Sequence, residues 1–176
     1  MSFSIRNMLV LLFCTVASAV FCSTVTVTVV QNEQAPFVAL QMSQTVEDEL
    51  MTVLFDSGHI VSNTSVRLDG SLFSGRSFGL KEAAHGLSDY LLVVLLKYNP
   101  SEKKKPDDSA AYAQLDGLSW RLVNVAGGAV LAEKTLDLSK IPITDFDPYK
   151  QSRQLADIVG RDCLQLLYNS SKGGDK

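Results

Sequence analysis

The pattern of apolar and polar positions predicts strands and helices in alternation. Residues 24–30 alternate strictly, with valines facing one way and threonines the other, which is typical of a half-buried strand. Between residues 36 and 57 apolar side chains recur every three or four positions, which predicts an amphipathic helix with Pro36 in its first turn and Gly58 at its stop. Residues 59–62 are predicted as a short second strand, followed by a polar connection through residue 79.

The second half of the chain continues the alternation. Residues 80–85 predict a short helix, and residues 90–98 are a continuous apolar run typical of a central strand covered on both faces. Residues 115–125 and 129–138 predict a hairpin across residues 126–128, because its glycines supply positive φ. A final helix follows residues 141–149. The β-α-β-α-β-β-β-α order predicts a single α/β domain, a mixed-sheet sandwich with helices packed on the sheet.

The N-terminal residues predict export. Arg6 precedes an apolar run that closes on Ala17-Ser18-Ala19, which is typical of a secretory signal cleaved after Ala19. The alternative is an uncleaved membrane anchor, because the uncharged stretch is long enough to span a bilayer. We favour cleavage because residues 23–30 alternate as a strand. The predicted organisation is a signal peptide at 1–19, an exported domain at 20–169 in the periplasm or outside the cell, and a disordered tail at 170–176.

Composition narrows the class of protein. A chain of 176 residues has room for one domain, and 46% hydrophobic residues are enough for a core. The 16 Lys and Arg against 19 Asp and Glu leave a formal charge of -3, which argues against nucleic-acid binding. Cys22 and Cys163 remain after signal cleavage, and the sequence leaves open whether they pair. Cys22 is also an alternative site of lipidation, although the bulky Phe21 before it does not fit a lipobox.

A charged segment interrupts the second half. Residues 99–108 contain two prolines and several charges, including Lys103, Lys104 and Lys105, and predict a mobile loop. We place a partner-binding surface on this loop together with the hairpin tip at Gly127 and Gly128, because loops vary without disturbing a core. The alternative is that the loop is a solvated spacer.

Candidate chemistry is sparse. Residues 75–79 match the G-x-S-x-G nucleophile elbow, which makes Ser77 with His85 the weak candidate for a catalytic pair. The hydrolase order requires a histidine after the acid, but no histidine follows Asp89, so we favour a chance match. We interpret Asp89 as hydrogen-bonding a neighbouring turn and Trp120 as a core aromatic. No histidine or cysteine has a ligand partner at metal-binding spacing, so no metal and no cofactor are predicted.

Three stretches of the chain resemble a known group. They are Ser57-Gly58 running into residues 59–61, residues 83–93 with the pair Asp89-Tyr90, and residues 118–131 with Gly127. These resemble periplasmic domains related to the lipoprotein activators of penicillin-binding proteins, the curli-export protein CsgG and the N-terminal domain of TolB. The chain differs from that group in lacking a clear lipobox and in having Val93 or Val94 where the group often has a small residue.

The resemblance implies an exported accessory or assembly protein of the cell envelope that has no chemistry of its own and acts by protein-protein interaction. Two alternatives remain, a small serine hydrolase that uses Ser77 and a periplasmic protein that binds a small ligand or lipid beside residues 62–79. Membrane association is a further expectation, through an uncleaved signal or a lipidated Cys22.

Overall fold

The order of elements agrees with the predicted α/β class. The structure, a computed structural model, describes residues 22–69, 75, 77–104, 111–141 and 147–172, so the predicted signal peptide lies outside the described residues. The elements are β1 (Thr24–Asn32), α1 (Ala39–Asp56), β2 (Ile60–Asp69), α2 (Leu80–His85), β3 (Tyr90–Lys104), β4 (Ala111–Asn124), β5 (Ala129–Leu136), a 3₁₀ turn (Leu138–Lys140) and α3 (Pro148–Lys172). The predicted single α/β domain is confirmed.

The five strands form one mixed sheet in the order β2-β1-β3-β4-β5. β1 pairs in parallel with both β2 and β3, whereas β3, β4 and β5 are antiparallel neighbours. Parallel neighbours need crossover connections, which α1 and α2 supply, and antiparallel neighbours need only turns. The sheet is therefore mixed because two of its connections contain a helix and the others are turns.

The interior position of β1, between β2 and β3, corrects the prediction of a half-buried strand. Thr26 and Thr28 are 2% and 1% exposed, so both faces of β1 are covered. Their hydroxyls are paired, since Thr26 Oγ1 lies 3.0 Å from Ser62 Oγ and Thr28 Oγ1 lies 2.9 Å from Thr64 Oγ1. Buried hydroxyls are tolerated when they are hydrogen-bonded. The alternation of valine and threonine therefore separates two buried faces rather than core from solvent.

Helices cover the two faces of the sheet unequally. The long helices α1 and α3 pack on one face, over a core that includes Val27, Leu92 and Trp120. Gly160 lets them approach, because a Cβ there would lie 2.7 Å from Val53 Cγ1. The short α2 covers part of the other face with Ala83. Among the described residues no helix is both long and apolar enough to cross a membrane.

Several predicted boundaries are wrong. α1 begins at Ala39 rather than near Pro36, because the chain first turns after β1, with Ala35 N donating to Asn32 O over 3.0 Å. Gly58, at φ 88°, follows that helix as predicted. β2 reaches Asp69 because its parallel pairing with β1 continues to Asn32. α3 continues to Lys172, past the predicted start of the tail at residue 170, and residues 173–176 lie outside the described part.

Candidate functional site: the two ends of the sheet

The sheet has two ends that differ in construction. At the proximal end, where β1 begins, residues 23–24 lie beside Ile60 and Asp89, and the turn at residues 125–128 lies next to Asp89. At the distal end, where β1 finishes, two strands extend beyond their neighbours. The predicted site residues divide between these two ends.

At the distal end β3 and β4 form a two-stranded ribbon, defined here as residues 98–104 and 111–117. β1 last pairs with β3 at Leu96, and β5 last pairs with β4 at Leu118, yet β3 and β4 remain paired as far as Lys104 and Ala111. The prediction of a mobile loop from residue 99 is therefore wrong for residues 99–104, which belong to β3. In the described part of the chain no strand pairs with the outer edges of this ribbon.

A side-chain clamp holds the base of the ribbon. Asn32 Nδ2 donates to Tyr98 O over 3.0 Å, and Tyr98 N donates to Asn32 Oδ1 over 2.8 Å. The amide of Asn32 thus extends the pairing of β1 with β3 by one step after the backbone of β1 has turned away. The Tyr98 ring is buried, its hydroxyl accepts from Ser43 Oγ over 3.2 Å, and burial raises the pKa of that hydroxyl.

The ribbon bends just beyond this clamp. Pairing between β3 and β4 is irregular between Tyr98 and Glu102, where three residues of β3 are left without a register partner. Within that step Ser101 N donates to Asn99 Oδ1 over 3.0 Å, a local turn that the asparagine side chain stabilises. Beyond the bend, Glu102 and Lys103 are exposed, and Lys103 pairs with Tyr112.

The predicted partner surface is not brought together. Lys103 and the backbone of Lys104 lie on the ribbon, and Lys105 lies outside the described residues. Gly127 and Gly128 follow Asn124, which pairs with Tyr90 at the other end of β3. Fourteen steps along a strand separate Tyr90 from Lys104, on the order of 40 Å at about 3.3 Å each. The lysines and the glycines therefore belong to different surfaces.

At the proximal end, backbone hydrogen bonds join adjacent segments side by side. Ile60 N donates to Ser23 O, Asp89 N to Thr24 O, and Val125 N to Asp89 O, over 3.1, 3.0 and 2.9 Å. Asp89 Oδ2 also accepts from Thr24 N and from Thr24 Oγ1, each over 2.8 Å. The Asp89 carboxylate therefore bonds to the start of β1 rather than to a neighbouring turn, as the sequence had suggested, and it fixes the start of β1 against the start of β3.

The ionisable side chains beside this framework differ in burial. Ser23 Oγ lies 2.8 Å from His59 Nδ1. Burial lowers the pKa of His59, although a hydrogen bond with the Ser23 backbone opposes this shift. Cys22 is exposed at this end, whereas Cys163 is buried in the core on α3, and the two are free. Burial raises the pKa of the Cys163 thiol to about 12, so it is present as an unreactive thiol.

The serine and histidine of the candidate catalytic pair are not joined. Ser77 is exposed in the turn before α2, and His85 is the exposed last residue of that helix. Among the described hydrogen bonds none links Ser77 to His85, and the Asp89 carboxylate accepts from Thr24 instead of from a histidine. A serine nucleophile needs a base within hydrogen-bond reach. The described residues also contain no group of three or more side chains able to hold a metal.

Comparison with known proteins places the chain in a family. A family model described as "Uncharacterised protein" matches residues 24–167. The chain belongs to this family. No curated protein matches.

Similar folds occur among solved structures. The PelC dodecamer from Paraburkholderia phytofirmans is 18% identical with a TM-score of 0.46, over 78% of this chain and 84% of that one. A DUF330 protein from Xanthomonas campestris is 14% identical with a TM-score of 0.49, over 86% and 89%. TolB from Acinetobacter baumannii is 13% identical with a TM-score of 0.42, over 82% of this chain and 28% of TolB. These likenesses concern the fold and carry no conclusion about activity.

Two features of this family member were missed by sequence reasoning. The ribbon was not predicted, because Pro100 and the lysine run indicate a loop. The alternation of Tyr112, Gln114 and Asp116 with smaller or apolar residues is nevertheless a strand signal. The Asn32 clamp has no sequence signal, because an asparagine just after a strand is equally typical of a turn.

Proposed function

We propose that this chain is an exported, non-enzymatic accessory or assembly protein of the cell envelope, which acts by binding another protein through the ribbon. Export rests on the signal-like residues 1–19, and the interaction rests on the geometry of the distal end. In this proposal the partner binds the lysine segment on the ribbon, and Gly127 and Gly128 are not part of the binding surface.

The observation that carries the proposal is that the paired strands continue past the end of the sheet. A two-stranded hairpin by itself is only marginally stable in water. Tyr98, Ala113 and Leu115 join the base of this ribbon to the core, whereas its exposed residues 101–103 gain little for the fold. This ribbon is nevertheless fixed at its base by the Asn32 clamp and the buried Tyr98 ring. A fixed, projecting ribbon with unpaired outer edges offers backbone groups to an extended segment of a partner.

The side chains of the ribbon set the kind of partner. Glu102 and Lys103 are exposed next to each other in sequence, and charges on an edge strand oppose indiscriminate pairing. A partner segment must therefore place a complementary pair of charges opposite them. This requirement favours a specific protein over general aggregation.

Photo-crosslinking tests the proposal directly. A photoreactive amino acid replaces Lys103 in the full chain, and the matched control carries the same group at Asp48, which is exposed on α1. We expect one discrete protein adduct from position 103 in the cell envelope and none from position 48. A shortened protein without residues 101–108 is expected to lose partner capture while it remains folded, because the side chains at 101–103 are exposed and only the pairing with residues 111–113 is lost.

Two results would contradict the proposal. One is capture of the same partner with unchanged affinity by the shortened protein. The other is an adduct pattern that is the same at positions 103 and 48. Ester hydrolysis that disappears in the Ser77→Ala variant would support the hydrolase alternative instead.

A further inference from the structure

A buried carboxyl group lies where α1 meets the edge strand β2. Glu47 is 6% exposed, and its side chain hydrogen-bonds with that of Asn63 on β2. Glu47 Oε1 is buried and has no hydrogen-bond partner among the described residues. Glutamate side chains are almost never buried this deeply unless they are paired, because an ionised carboxylate loses its hydration there. The surroundings of Glu47 therefore determine whether this group carries its charge.

The described residues of α1, β1 and β2 bring no positive charge to this carboxyl. α1 contains four acidic residues and no lysine or arginine, and the two residues after Glu47 are both acidic. β1 contains no ionisable residue. On β2, Arg67 lies on the opposite face of the sheet, where its Nη2 is 3.1 Å from Glu82 Oε1 on α2. The other charge on β2, Asp69, is acidic. The charges around Glu47 are therefore negative.

The helix α3 lies on the other side of α1. It packs on α1 through Tyr149, whose hydroxyl donates to Gln41 Oε1 over 2.8 Å, and through Gly160, which approaches Val53. At 3.6 residues per turn, positions 41 and 53 each lie about 120° around α1 from position 47. The lysines and arginines of α3 therefore do not face the Glu47 carboxyl.

This environment favours the neutral carboxyl. Burial raises the pKa of Glu47, the hydrogen bond with Asn63 opposes that shift, and the charge of Asp48 adds to it. Two titratable groups buried on the same face of the sheet, the Tyr98 hydroxyl and the Cys163 thiol, stay neutral because burial raises the pKa of each. A carboxyl whose pKa is raised in the folded protein contributes stability below the unfolded value of about 4.3, and this contribution is lost as the pH rises through the folded value.

We propose that Glu47 makes the attachment of β2 to α1 sensitive to pH. The neutral carboxyl holds the two elements together, and loss of its proton loosens β2. This strand responds most strongly because it is an outer strand, which pairs with β1 alone among the described strands. Its further support on this face of the sheet is the packing against α1. The inference stands apart from the proposed function, since the ribbon is formed by β3 and β4.

Amide hydrogen exchange tests the inference. In the full chain, protection of the β2 amides is measured at about pH 5 and about pH 7.5 and corrected for the intrinsic exchange rate at each pH. The unchanged protein is compared with Glu47→Gln, which is neutral at both values, and the imidazole of His59 is common to the two proteins. We expect the protection of β2 in Glu47→Gln, relative to the unchanged protein, to rise several-fold between the two pH values, with a limit of about tenfold for each unit by which the pKa is raised.

The matched control is Glu49→Gln, which removes the same kind of charge from the same helix. Position 49 lies about 200° around α1 from position 47, on the side that faces α3. We expect the protection of β2 in this variant, relative to the unchanged protein, to be the same at both pH values. The amides of β4 provide a second comparison, and in Glu47→Gln their protection is expected to change less than that of β2.

Three outcomes would overturn the inference. A constant relative protection of β2 in Glu47→Gln would mean that the proton on Glu47 does not act on this strand. An equal rise for β2 and β4 would mean that Glu47 affects the whole fold. A rise of the same size in Glu49→Gln would assign the effect to the total charge of α1.

A second measurement applies if Glu47→Gln does not fold. The carboxyl carbon of Glu47 is then titrated by NMR in the unchanged protein. A midpoint above about 4.3, with protection of β2 that falls over the same pH range, supports the inference, and a midpoint at or below that value contradicts it.

Discussion

The proximal and distal ends of the same sheet are closed by different kinds of hydrogen bond. At the proximal end, adjacent segments start or stop in step, and backbone groups bond directly across Ser23, Ile60, Asp89 and Val125. At the distal end, β1 and β5 stop while β3 and β4 continue. There the amide of Asn32 takes the place of missing backbone.

This difference distinguishes contacts on which the whole sheet depends from contacts that can change without disturbing it. The backbone bonds of the proximal end involve the central strand, so any change there affects the main pairing of the sheet. The ribbon depends on the Asn32 side chain and on the buried part of its own base, Tyr98, Ala113 and Leu115, so its exposed residues are altered with less effect on the core. The two ends are therefore expected to respond differently to single substitutions.

The largest effect is expected from Asn32→Ala. The substitution leaves Tyr98 N and Tyr98 O without their partner at a buried position, and each unsatisfied buried group costs about 1–3 kcal/mol. We expect a loss of about 2–4 kcal/mol in the free energy of unfolding, measured by urea denaturation. Hydrogen exchange is expected to quicken at the ribbon amides while those of β1 and β2 remain protected.

The matched control is Asn99→Ala, which removes an amide from the bend of the ribbon rather than from its base. That side chain is only half-buried, its bond from Ser101 N is local, and its contact with Asp116 Oδ2 is 3.4 Å long, so we expect a loss below about 1 kcal/mol. If the two variants lost similar stability, the clamp would have no special role.

The distal end also shows where sequence reasoning succeeds and where it stops. The hydrophobic run predicted β3 up to Tyr98 because the strand is covered on both faces to that point. Beyond it, Pro100 and the lysines contain no hydrophobic pattern, and the pairing rests on backbone bonds to β4. A pattern of side chains predicts burial, so it does not register the exposed residues 101–103 of β3, although Ala113 on the opposite strand is buried in the core.

The next effect in size is expected from Asp89→Ala at the proximal end. The substitution removes the acceptor of two hydrogen bonds from Thr24, while the backbone bonds beside it remain. Since Asp89 is exposed, water replaces part of what is lost, and we expect about 1–2 kcal/mol in denaturation. Asp116→Ala, an exposed carboxylate whose contact with Asn99 Nδ2 is 3.4 Å, is the control, with less than about 0.5 kcal/mol expected. If both variants lost equal stability, the Asp89 carboxylate would not stabilise the proximal end.

At the proximal end the sequence predicted more. The stop at Gly58, the short α2 and the glycine turn at residues 126–128 follow from local backbone chemistry, which glycines make visible. The carboxylate of Asp89 was expected to bond a neighbouring turn, whereas it bonds Thr24 at the start of β1. That contact depends on β1 and β3 being neighbours in the sheet, which the sequence pattern leaves open.

The smallest expected effect is a pH dependence that the His59→Gln variant lacks. Burial lowers the pKa of His59 in the folded protein, whereas the unfolded chain keeps the ordinary value of about 6.5. The unfolded chain therefore binds a proton first as the pH falls, so the stability from this group is present above pH 6.5 and is lost below it. We expect the melting temperature of the unchanged protein to fall slightly more than that of His59→Gln when the pH drops from about 7.5 to about 5.

The control for this measurement is His85→Gln, which removes an exposed imidazole from the end of α2. Its melting temperature is expected to follow that of the unchanged protein across the same range. A parallel course for all three proteins would show that His59 titrates alike in the folded and unfolded chains. The hydrogen bond with the Ser23 backbone would then offset the effect of burial on the pKa of His59.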